Sequence, residues 1–185
     1  MTRVITHELY NGSYLNDVAI LKLVNPIMPG LNAGVIAVAN STPVEGSTVD
    51  ATGWARGSTE ESTSRSRLQI VAAQKILSKS ERAKHYDHSN GNDVVPDAVT
   101  CGEDQTSSAC KADIGSPVTQ NGRFVGVVIW RPSNCSAPNG PSLYANVEHF
   151  NEWITQLVNT ANTAKIAVLV YVIVIVNSLV LLRFN

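Results

Sequence analysis

His85, Asp87 and His88 fall within four consecutive residues, and two imidazoles beside a carboxylate are a donor set that can hold a metal ion. The surrounding residues are polar, and the cluster reads as a solvated loop; no metal and no cofactor is expected. Cys101, Cys110 and Cys135 are the three cysteines. An odd number cannot all pair within one chain, and their spacing matches no zinc motif. Asn11-Gly-Ser, Asn40-Ser-Thr and Asn134-Cys-Ser are glycosylation acceptor triplets, which mark surface loops if the chain enters the secretory pathway. A net charge of −1 with no long run of either sign excludes a nucleic-acid partner from the expected functions.

The elements that must carry these residues are short. With 44% hydrophobic residues the 185-residue chain can build a core of one domain's size. Apolar runs of strand length alternate with Gly, Pro, Ser, Thr and Asn, which indicates an all-β fold. Asp17–Leu23 and Gly34–Ala39 are the first strand candidates, separated and followed by linker-like sequence. Six more follow, over Val49–Trp54, Leu68–Leu77, Val95–Cys101, Ser116–Thr119, Phe124–Trp130 and Ser142–Val147. Such a set suggests a small closed barrel. Phe150, Trp153, Ile154 and Leu157 recur at helical spacing, predicting an amphipathic helix over Glu148–Val158, with Thr155–Ala164 forming a hinge.

The ends differ in character. No apolar stretch of the length a secretory signal requires stands at the N-terminus. Ile166–Leu182 is uncharged and flanked by Lys165 and Arg183, close to the ~17–25 residues of a bilayer-spanning helix. It is expected to be a membrane-anchoring helix over 165–183, although its many Val and Ile residues also suit a strand.

Several segments, taken in order, resemble the trypsin-like and chymotrypsin-like serine proteases (peptidase S1 family). Asn16-Asp-Val-Ala-Ile-Leu-Lys-Leu23 resembles the segment around their catalytic aspartate. Gly53-Trp54 resembles the turn that opens their second barrel, and Cys110-Lys-Ala-Asp-Ile-Gly-Ser-Pro117 resembles their nucleophile loop. Phe124–Trp130, Cys135, Leu143–Val147 and Trp153-Ile154 resemble the strand, cysteine, strand and closing helix that follow. The resemblance covers residues 1 to about 158. It implies a trypsin-like Greek-key β-barrel fold: residues 1–45 as a remnant of the first barrel and the inter-barrel linker and 46–160 as the second barrel with a C-terminal helix; the apolar tail helix expected over 165–183 lies beyond it.

The same resemblance assigns residues to the catalytic machinery, and there the chain departs from the family. Asp17 occupies the position of the triad aspartate, while Ile114 stands where the nucleophilic serine belongs. An aliphatic side chain has no lone pair and no acidic proton, so it cannot attack a carbonyl. The oxyanion-hole positions are Ala112 and Ile114, with Ala112 replacing a glycine. No counterpart of the family's histidine segment precedes Asp17; His7 matches a surface position and is not expected to act as the base. Ser116, the nearest hydroxyl, lies where the family has glycine. Ile129 replaces the serine that hydrogen-bonds the aspartate in relatives. Ser108, Arg131 and Ser142 occupy specificity-pocket positions, the last two replacing glycines, and no conventional primary-specificity pocket is expected. Cys110 and Cys135 match a family disulfide, whereas Cys101 matches a half-cystine whose partner position carries Arg82.

The expected function is therefore that of a non-catalytic serine protease homologue. It would be secreted or membrane-anchored outside the cell, and would bind or inhibit a protein partner through the former cleft loops, as the glucanase-inhibitor proteins do. The alternative is a trypsin-like serine endopeptidase represented by an incomplete gene model.

Overall fold

The computed structural model describes residues 3–25, 27–31, 33–53, 69–85, 96–103, 114–130, 141–162 and 170–172. In chain order these hold β1 (Arg3–Thr6), β2 (Ala19–Lys22), β3 (Ala37–Val38), β4 (Thr48–Gly53), β5 (Gln69–Ile76), α1 (Lys79–His85) and β6 (Val99–Glu103). β7 (Pro117–Gln120), β8 (Arg123–Trp130), β9 (Ser142–Asn146), α2 (Asn151–Asn162) and β10 (Val170–Val172) complete the set. Hydrogen-bonded neighbours run β8-β7-β4-β5-β6-β9, and a β8–β9 pairing closes the ring into a six-stranded barrel. Closure leaves no free edge within the ring. β3 adds to β8 in parallel. This is an all-β barrel followed by a C-terminal helix, as the sequence predicts.

Local chemistry explains several boundaries. β4 alternates exposed with buried residues, placing Val49, Ala51 and Gly53 inward. Asn121 and Gly122 both have positive φ, 50° and 71°, the backbone of a two-residue hairpin turn, and they join β7 to β8. α1 begins with a reciprocal cap: the Ser78 N–H donates to Glu81 Oε2 at 3.0 Å and the Glu81 N–H to Ser78 Oγ at 3.2 Å. β8 supplies both cores. Phe124, Val127 and Ile129 join Val18, Ile20, Phe150 and Ile154 in one cluster, while Val125 and Val128 join Val49, Val118 and Tyr144 in the other. Each such fully buried side chain contributes roughly 1.5–3 kcal/mol.

Two expectations are corrected. The helix α2 runs through Asn162, so most of the expected hinge over Thr155–Ala164 is helical. Within the segment expected to be a membrane helix, 165–183, Val170–Val172 form a strand antiparallel to β2. Among the described residues no helix is long and apolar enough to cross a membrane. The first sheet is β1-β2-β10, and β1 is an element the sequence reading does not contain.

Candidate functional site

Asp17 enters β2 from a constrained turn. Asn16 has a left-handed φ of 55°, the Val18 N–H donates to Asn16 O at 2.8 Å, and the His7 N–H donates to Val18 O at 3.1 Å. Asn and Asp tolerate this conformation better than other side chains. Asp17 itself is half-buried. Burial pushes its carboxyl above the usual aspartate range, with no hydrogen bond among the described residues to offset it. Ile129, where relatives place the aspartate's hydrogen-bonding serine, is 5% exposed and shares a core cluster with Val18 and Ile20.

Ile114 occupies the turn before β7 and is half-buried. Gly115 follows with φ 89°; its N–H donates to Val128 O at 2.7 Å, and the Val128 N–H donates to Ser116 O at 3.0 Å. The turn is thus held against β8 by two backbone hydrogen bonds. Ser116 is 0% exposed, and among the described residues its Oγ has no hydrogen-bond partner. Ser142, in β9, is buried and lies opposite Gly102 of β6. Ala112, Asp113, Ser108, Arg131, Cys110, Cys135 and Asn134 lie outside the described residues, as do Asp87 and His88. His85 is the last residue of α1, and no metal-holding group of His, Cys, Asp or Glu occurs among the described residues.

His7 is built into the packing of the N-terminal segment on α2. Its ring centroid lies 5.4 Å from that of Phe150 and 5.0 Å from that of Trp153, and its Nδ1 accepts the Leu9 N–H at 3.3 Å. Next to it, Glu8 accepts the Trp153 indole N–H at 3.0 and 3.2 Å. A backbone hydrogen bond and the indole hold the Glu8 carboxyl below the usual glutamate range. This tie between residues far apart in sequence carries no sequence signal.

Cys101 is a free, fully buried thiol, and burial pushes its pKa up to about 12 despite the opposing charge of Arg82. Arg82 is itself buried, with Nη1 donating to Val99 O at 2.6 Å. The side chain at the expected half-cystine position therefore pins the strand that carries Cys101. Asn11 and Asn40 are both exposed, and Asn11 Oδ1 accepts the Ser13 N–H at 3.1 Å. An open groove of about 950 Å³, lined by Asp97, Glu148, His149 and Glu152 among others, was not foreseen. It contains neither Asp17, Ile114 nor Ser142.

The trypsin family's sequence profile matches residues 1–154. The chain is similar to trypsin iota of Drosophila melanogaster, 30% identical over 83% of this chain and 59% of that protein. It is 27% identical to trypsin of Sus scrofa, over 84% of this chain and 66% of that one. Trypsin alpha-3 of Lucilia cuprina is 28% identical, over 83% of this chain and 91% of that protein. The chain spans less than two thirds of the length of the first two. Among solved structures, neuropsin, a serine protease expressed in the limbic system of mouse brain, superimposes with a TM-score of 0.71 at 23% identity. That match covers 85% of this chain and 70% of neuropsin, a likeness of fold.

Proposed function

The chain belongs to the trypsin family, and we propose that within it the protein is a non-catalytic member that binds a protein partner outside the cell. The observation that carries this reading is Ile114. The residue before the Gly115 turn, at the position the resemblance assigns to the nucleophile, has no nucleophilic atom. The buried Ser116 hydroxyl and the Asp17 carboxyl, neither with a hydrogen-bond partner among the described residues, support it, since no described residue is arranged to move a proton to or from them. Exposed acceptor residues at Asn11 and Asn40 fit an extracellular location.

The test is covalent labelling of the purified chain by a fluorophosphonate probe, which reports an activated serine. No labelling is expected, with hydrolysis of a peptide ester at the uncatalysed rate. Labelling that disappears in Ser116→Ala would overturn the reading and establish the endopeptidase alternative. Binding is tested by capture from extracellular fluid with the chain and with Arg131→Glu. Capture of a discrete protein by the first and not the second is expected.

A further inference from the structure

β2 carries a strand on each edge, β1 on one and β10 on the other. Along β10, Val170 pairs with Lys22, Tyr171 with Leu21 and Val172 with Ile20. Ile20 and Leu21 are successive residues whose side chains point to opposite faces, and they are only 1% and 4% exposed. β2 is thus covered on both faces, and an open edge would strand backbone N–H and C=O groups beside apolar surface. The residues that close this edge come from the uncharged Ile166–Leu182 run. Its many Val and Ile side chains favour a pleated backbone and lose χ1 freedom in a helix. A bilayer-spanning helix takes about 20 continuous residues, and a chain that pairs Val170–Val172 with β2 cannot at the same time commit them to such a helix.

We propose that this apolar segment is an intramolecular strand donor, recognised by the edge of β2 through main-chain pairing, and that it is not a membrane anchor. The recognition is that of strand addition to a sheet edge, where the ladder supplies affinity and alternate side chains supply register. It is independent of whether the protein is catalytic.

Cysteine pairs in the full-length chain test the register. Lys22→Cys with Val170→Cys is expected to form a disulfide on mild oxidation, found as a linked peptide by mass spectrometry. Lys22→Cys with Ile175→Cys is expected to give none above background. Arg3→Cys with Lys22→Cys, opposed across the β1–β2 ladder, reports that β2 is folded and its new thiol reactive. The Lys22–Val170 link should persist when phosphatidylcholine vesicles are added. A linked Arg3–Lys22 control with no Lys22–Val170 link would overturn the proposal. So would equal linking at Val170 and Ile175, or loss of the link as the chain floats with vesicles.

Discussion

At the residue scale, the proposed loss of catalysis rests on Ile114, and Asp17 carries a testable electrostatic consequence. Asp17 is a half-buried carboxyl preceding Val18, a member of the core cluster that includes Ile129. Because burial raises its folded pKa, the folded chain holds this proton to higher pH than the unfolded chain does. Its stabilising contribution is complete below the ordinary aspartate range and is lost as pH rises through the raised folded value. Asp17→Asn should therefore be more stable than the parent at pH 7, by less than about 1 kcal/mol because solvent still reaches the group. The difference should vanish toward pH 3, as read by urea unfolding at both pH values.

At the element scale, the barrel depends on close approach between β6 and β9. A Cβ on Gly102 would come within 2.6 Å of the Tyr144 ring, and that ring is held by its hydroxyl donating to the buried Gln74 Oε1. Neither partner can retreat without breaking a buried hydrogen bond. Gly102→Ala is expected to destabilise the chain by about 1–3 kcal/mol, the range for overpacking a core, measured as a lower urea midpoint at unchanged slope. Strands over 48–53, 117–120 and 142–146 were legible in the sequence because each is a short apolar run bounded by turn residues. Arg3–Thr6 was not, since its burial is slight and its pairing with β2 is non-local.

At the scale of the whole molecule, the barrel is well packed while residues 1–45 are not. Among the described residues, every exposed large hydrophobic except Trp130 lies in that region, including Leu9, Val24, Met28, Leu31 and Val44. Exposed apolar surface of this kind marks a face available for contact. The cysteines provide a molecule-wide check. With Cys101 buried at a pKa of about 12 and Cys110 paired to Cys135 as the resemblance implies, the native chain should present no reactive thiol at pH 8. One should appear in guanidinium chloride and three after reduction, counted by alkylation and intact mass. A native chain with two reactive thiols would refute the Cys110–Cys135 pairing.

The sequence by itself determined the family and the barrel strands, because these rest on residue types at fixed spacing. Only the tertiary structure decided three other matters. It placed Val170–Val172 on β2, where an apolar, β-branched run suits helix or strand until a partner edge selects one. It turned His7 toward Phe150 and Trp153, and it enclosed the Ser116 hydroxyl. Each of these outcomes depends on contacts between residues remote along the chain, which no local pattern encodes.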